Sequence, residues 1–123
     1  MVIHDQPVLY SADLKACTAM PALDPERVTA TFVQVLESAG ATVVQALSHN
    51  FPGAGLTCVL ILAESHAVLH TWPETGTVNI DIFSCSTRLQ SLAAIAELGR
   101  SFGAAGVSIQ EIPRADGHGP PPV

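Results

Sequence analysis

Between Ala63 and Cys85 the chain gathers most of its reactive side chains: Ser65, His66 and His70, Glu64 and Glu74 to either side, the lone tryptophan Trp72, and Cys85. Charged residues make up only 13% of the sequence, so this concentration is not background. The pattern reads as a segment that cuts itself at Ser65. Attack of the Ser65 hydroxyl on the Glu64 carbonyl would exchange an amide for an ester. Loss of the Ser65 α-proton would then expel the ester, and the dehydroalanine left behind would hydrolyse to a pyruvoyl group. This route needs a donor for the developing oxyanion and a base for the α-proton. Thr57 on the preceding strand and His70 on the same strand as Ser65 are the candidates. A pyruvoyl carbonyl can take a substrate amine and act as an electron sink.

The spacing alone admits other readings. His66, His70 and Cys85 could be zinc ligands, but an i, i+4 histidine pair suits a helix, and on a strand the two would lie about 13 Å apart. A hydrolase triad of Ser65, His70 and Asp81 lacks the Gly-x-Ser-x-Gly elbow. A small-molecule-binding protein of the same fold would need no cleavage at all.

The elements that must position these groups follow from periodicity. Val8 to Cys17 reads as a first strand. Asp24-Pro25-Glu26 starts a helix, with Asp as N-cap and Pro at N1. Val28, Phe32, Val35, Leu36 and Ala39 recur at helical spacing, so the helix is expected over 25–39, with Gly40 ending it. Ala41 to Phe51 is expected as a strand with Val43, Gln45, Leu47, His49 and Phe51 on one face. After a turn at Pro52–Gly55, Thr57 to Ala63 reads as a strand buried on both faces. Residues 66–72 form the next strand, with His66, Val68, His70 and Trp72 on one side. A turn at Pro73–Gly76 leads to a strand from Thr77 to Cys85 with Asn79, Asp81, Phe83 and Cys85 sharing a face. Ser86 or Thr87 is expected to cap a second helix with the stripe Leu89, Leu92, Ile95, Ala96, Gly99 and Phe102, ended by Gly103 and Gly106. A last strand covers Val107 to Ile112, and 115–123, with three consecutive prolines, reads as a disordered tail.

The order β-α-β-β, β-β-α-β predicts an α+β fold: a two-layer α/β sandwich, one antiparallel sheet with both helices on one face. The 123 residues predict one domain, taken as 1–114 plus the tail. Hydrophobic residues are 48% and mean hydropathy is +0.37, so the sheet's other face also needs a cover, which a second protomer would supply. No apolar run approaches the roughly 20 residues of a membrane span. Net charge −6 argues against nucleic acid. Three widely spaced cysteines with no Cys-x-x-Cys pair argue against a disulfide framework and for the cytoplasm; Cys17 and Cys58 are expected in the core. The N-terminus lacks the basic start and apolar stretch of a signal peptide.

Glu64-Ser65-His66-x-x-x-His70-Thr71-Trp72-Pro73-Glu74-x-Gly76, followed by Asp81-x-Phe83-x-Cys85, resembles the short prokaryotic S-adenosylmethionine decarboxylase proenzymes over about residues 49–85. The resemblance implies a pyruvoyl-dependent enzyme that needs no metal, cleaved between Glu64 and Ser65 into chains 1–64 and 65–123, acting in spermidine synthesis as a homodimer with stacked sheets. It implies that Ser65 becomes the pyruvoyl group, that His70 and Thr57 assist processing, and that Cys85 returns a proton to the substrate's α-carbon. Thr57 stands where the family usually has a serine. Phe51 and Trp72 fall at positions associated with the adenine site, and Glu74 where a carboxylate takes ribose hydroxyls. The chain departs from the pattern in four places. It lacks the N-terminal Gly-x-His, to which His4 is a loose counterpart. It carries Thr77 for an aromatic and Ser86 for a glycine, and it lacks the C-terminal Glu-Arg-Gly-like segment. Relatives of this family decarboxylate ornithine or arginine, so the substrate is a question separate from the chemistry.

Overall fold

In this computed structural model, residues 7–19, 24–53, 55–63, 65–85 and 89–115 are described. Their elements run β1 (Val8–Lys15), α1 (Pro25–Ser38), β2 (Val43–Asn50), β3 (Leu56–Leu62), β4 (Ser65–Trp72), β5 (Thr77–Ser84), α2 (Ser91–Ser101) and β6 (Gly106–Pro113). The strands form one sheet in the order β2-β3-β4-β5-β1-β6, every neighbour antiparallel. The α+β class and the single six-stranded antiparallel sheet with two helices are as expected.

Helix α1 forms where its signals stand. The Asp24 side chain accepts from the Arg27 backbone N–H at 2.8 Å, satisfying one of the first-turn donors. Val28, Phe32, Val35 and Leu36 are buried. Ala39 is the C-cap, and Gly40 takes φ 106°, a conformation open to residues without a Cβ.

Burial alternates strictly along the central strands. Leu56, Cys58, Leu60 and Leu62 of β3, Ala67 and Leu69 of β4, and Val78, Ile80 and Ile82 of β5 join Phe32, Ile95, Leu98 and Phe102 in one core between sheet and helices. Among the described residues, no helix covers the opposite sheet face. β3 is therefore not buried on both faces: Thr57 and Val59 are half-buried and Ile61 is exposed, because helices cover one side only.

Two further expectations are corrected. In β2, Val43 pairs with Leu62 while Gln45 pairs with Ile61, so a bulge at Val44 inserts one residue. Val43 consequently packs against the core, and Gln45, Leu47 and His49 lie on the other face. In α2, Leu92 is 47% exposed and Ala96 faces out, while Ala94 and Leu98 are buried beside Ile95, Gly99 and Phe102. Bulky Ile95, Leu98 and Phe102, at i, i+3, i+7, set that face. The N-cap is Gln90, whose side chain makes no cap bond; its backbone N–H instead donates to the Ala39 carbonyl at 2.8 Å, tying α2 to the end of α1. The expected caps Ser86 and Thr87 lie outside the described residues, as do His4, Glu64 and the tail from 116 onward.

The corrected helix face has a direct check by urea denaturation. Leu92→Gln should change stability by no more than about 0.5 kcal/mol. Leu98→Ala should cost about 2–5 kcal/mol. Equal losses would mean that the buried stripe has been misassigned.

Candidate active site

Register decides which reactive groups meet. On the open face, Thr57 of β3 lies opposite His70 of β4, His70 lies opposite Asn79 of β5, and Asn79 lies opposite Asp13 of β1. Side chains directly opposite on one face are close enough to bond, and two of these pairs, Thr57–His70 and Asn79–Asp13, do. Thr57 Oγ1 and His70 Nδ1 share a hydrogen bond of 2.8 Å. With the hydroxyl donating, the imidazole proton sits on Nε2 and the ring is held in one orientation. One row further along, the Ser11 hydroxyl donates to Asp81 Oδ1 at 2.6 Å.

Next to the Thr57–His70 pair the sheet end opens into a pocket of about 490 Å³, walled by Phe51, Gly55, Trp72 and Glu74 with Thr57 and His70 at its base. Phe51 and Trp72 are each 49% exposed, so both rings stand ready to cover a ligand. The Phe51 backbone N–H donates to the Gly55 carbonyl at 2.7 Å, closing the turn that carries one wall. The Gly76 N–H donates to the Trp72 carbonyl at 2.9 Å, fixing the turn that carries Glu74. A larger groove of about 650 Å³ runs between α1 and α2, lined by Gln34, Glu97 and Arg100, and none of the reactive cluster reaches it.

Ser65 is elsewhere. It opens β4 and pairs with Leu62, so only residues 63 and 64 join β3 to β4. Its hydroxyl donates weakly, at 3.3 Å, to the Ala63 carbonyl. The expected scissile bond therefore immediately precedes the first residue of β4. Cys85 follows β5 at that same sheet end, where His66 pairs with Phe83. The His66 and Phe83 rings lie 5.4 Å apart, and the Arg114 guanidinium stands over the Phe83 ring at 5.8 Å.

The expected residues thus form two groups. Phe51, Thr57, His70, Trp72 and Glu74 gather at one end; Ser65 and Cys85 stand at the other. Ser65 and His70 are five residue steps apart along β4, about 16 Å of strand. Ser65 also alternates with buried Ala67 and Leu69, whereas His70 is on the open face. The rival constellations fail on this geometry. Asp81 bonds Ser11 rather than His70, and His66 faces Phe83 while His70 bonds Thr57.

Ser65 nonetheless fits the demands of a serine-derived pyruvoyl group. It is partly exposed at a strand end, directly after a two-residue connection, with a thiol at the same end of the sheet. The other two thiols differ. Cys17 and Cys58 are core residues whose pKa values burial pushes up. The Thr29 hydroxyl beside Cys58 pulls the other way but meets no hydrogen-bond geometry, so burial wins.

Asn79 and Asp13 were missed as partners of the site. The Trp72 indole N–H donates to Asn79 Oδ1 at 2.6 Å, and Asn79 Nδ2 donates to Asp13 Oδ1 at 2.8 Å. The signal was present in the strand limits: a turn at 73–76 puts Asn79 across from His70.

Comparison with known proteins bears on the whole chain. A profile of the S-adenosylmethionine decarboxylase family matches residues 9–115. An S-adenosylmethionine decarboxylase proenzyme of Acidithiobacillus ferrooxidans is 35% identical over 103 residues, 84% of this chain and 77% of that protein. One from Moorella thermoacetica is 33% identical over 103 residues, 84% of this chain and 82% of that protein. The crystal structure of the adenosylmethionine decarboxylase from Aquifex aeolicus shares the fold, with TM-score 0.80 at 22% identity over 92% of this chain and 93% of that one. Proenzymes of this family are pyruvoyl-dependent decarboxylases that make the pyruvoyl group from their own chain. With the profile running from the second residue of β1 through the end of β6, the chain belongs to the S-adenosylmethionine decarboxylase family.

Proposed function

We propose that this protein is a self-processing, pyruvoyl-dependent decarboxylase of S-adenosylmethionine, cleaved between Glu64 and Ser65 and active as a homodimer. The observation that carries the reading is the position of Ser65, at the head of β4 immediately after a two-residue hairpin connection. Its hydroxyl needs only to turn on the carbonyl of the preceding residue. The pyruvoyl group formed there supplies an electrophilic carbonyl for the substrate's amine and a sink for the electrons that CO2 leaves behind.

The chain's own side chains do the rest. The Thr57 hydroxyl donates to the oxyanion that forms during cleavage, and His70, oriented by Thr57, takes the Ser65 α-proton. Phe51 and Trp72 hold the adenine ring between aromatic faces, Glu74 accepts from the ribose hydroxyls, and Cys85 returns a proton to the α-carbon after CO2 departs. The pocket's two exposed rings favour a nucleoside-bearing substrate over ornithine or arginine, which would leave them unused.

The distance along β4 makes the dimer part of the mechanism. A twofold axis between two open faces, running across the strands, reverses one sheet over the other. It brings the Thr57–His70 end of one copy over the Ser65–Cys85 end of its partner. The face offers apolar Leu47, Ile61 and Ile112, each 38–52% exposed, to such a contact. In this proposal each protomer is a single unit over 1–114. Three cysteines outside any disulfide support the proposed cytoplasmic setting, and no described helix is long and apolar enough to cross a membrane.

Ser65→Ala should remain a single chain on a denaturing gel and release no CO2. Cys85→Ala should cleave yet turn over about 10²–10⁴-fold more slowly. Normal turnover in Cys85→Ala would remove it as the proton donor. Assays across S-adenosylmethionine, ornithine and arginine should show CO2 from the first alone; release from either amino acid instead would reassign the substrate. The shared site has its own test. Ser65→Ala and His70→Ala chains, each uncut alone, should yield a cleaved His70→Ala chain when co-expressed, because the partner supplies His70. Absence of cleavage in a mixed dimer confirmed by native mass would contradict the shared site.

A further inference from the structure

We propose that Asn79, anchored by Asp13, is a positioning residue that fixes the Trp72 indole as the carbon wall of the pocket. The chain of bonds spans three strands. Trp72 Nε1 donates to Asn79 Oδ1 at 2.6 Å, and Asn79 Nδ2 donates to Asp13 Oδ1 at 2.8 Å. Its direction is set at both ends by chemistry. An indole nitrogen only donates and an ionised carboxylate only accepts, so the amide between them has one workable orientation. Asp13 and Asn79 are directly opposite in the β1–β5 ladder, so the anchor is register-locked to the sheet rather than to a loop.

Trp72 needs such an anchor. It is the last residue of β4 and half-exposed, with a turn directly behind it. The turn holds its backbone through the Gly76 N–H, but leaves the ring free about its own two torsions. A flat ring flipped by a half turn presents nearly the same shape with its N–H on the other side. The bond to Asn79 selects one state. The N–H is spent towards β5, while the pocket lies on the β3 side with Phe51, Gly55 and Thr57. The pocket therefore receives an apolar aromatic surface that is already ordered, which lowers the ordering cost of ligand binding. Because Asn79 also sits across from His70, the relay joins the ring-binding wall and the Thr57–His70 pair in one row of the sheet. The consequence for substrate affinity rests on the proposal that this pocket takes the adenine ring; the ordering of Trp72 does not.

Trp72 is the only tryptophan, so fluorescence reads it without labelling. In mature enzyme, Asn79→Ala and Asp13→Leu should shift the emission to the red and raise acrylamide quenching. Asp13→Asn, which keeps an acceptor oxygen, should restore the unaltered spectrum. With S-adenosylmethionine, Asn79→Ala should raise KM roughly 3- to 10-fold with kcat within about twofold. In the unaltered protein, the single indole N–H resonance should exchange with solvent more slowly than that of free tryptophan, a reading that needs no variant to fold. Unchanged emission and quenching in Asn79→Ala, or indole exchange as fast as in free tryptophan, overturns the relay. A fall in kcat with KM unchanged overturns the positioning role. Adenosine should quench Trp72 in the unaltered enzyme; if it does not while the Asn79→Ala shift is present, the relay stands and the adenine assignment of the pocket fails.

Discussion

Four residues of extended chain lie between Ser65 and His70, and a strand paired on both sides cannot shorten. β4 is register-locked to β3 from Leu62–Ser65 to Leu56–Thr71 and to β5 from His66–Phe83 to Trp72–Thr77. Breaking that lock would forfeit the ladder and the core beneath it. Under this constraint the expected processing groups of one chain, Ser65 and His70, stay at opposite ends of the sheet. In the isologous pair proposed above, each end meets the partner's opposite end, so dimerisation and maturation are one requirement of that proposal.

The helix layer serves this arrangement by leaving the other face alone. Leu60, Leu69 and Ile80 fill the space under α1 and α2, and alternation sends their neighbours Ile61, His70 and Asp81 to the opposite side. The open face is consequently mixed. Apolar Leu47 and Ile61 belong to β2 and β3, whereas Ser11 and Asp13 with Asp81 and Asn79 belong to β1 and β5. Polar groups there bond one another in pairs and chains, which lowers the cost of covering them.

Much of this was legible before any coordinates. The Asp24-Pro25 start, the alternation from His66 to Trp72 and the Gly76 turn rest on local chemistry, and each fell where expected. The Thr57–His70 contact was anticipated as residue types but not as a pair, since pairing depends on hairpin length. Once Leu62 is known to face Ser65, Thr57 must face His70. The bulge at Val44 was invisible because neither glycine nor proline marks it; it arises from the need to bury Val43 against the helices while Leu47 faces out. The buried face of α2 departs from the expected stripe because the helix begins at Ser91 rather than near Ser86 or Thr87. Asn79 was seen on the right face and given no role, as nothing local announces a bond to an indole seven residues earlier.

The covalent state of the backbone at Ser65 separates a self-processed enzyme from an ordinary chain. Intact mass of freshly purified, active protein measures it directly. Two chains corresponding to 1–64 and 65–123, the second beginning with a pyruvoyl group and lacking an amino terminus, are the predicted result. A single chain of the full 123-residue mass, with an ordinary serine at position 65 in material that releases CO2 from S-adenosylmethionine, would contradict it.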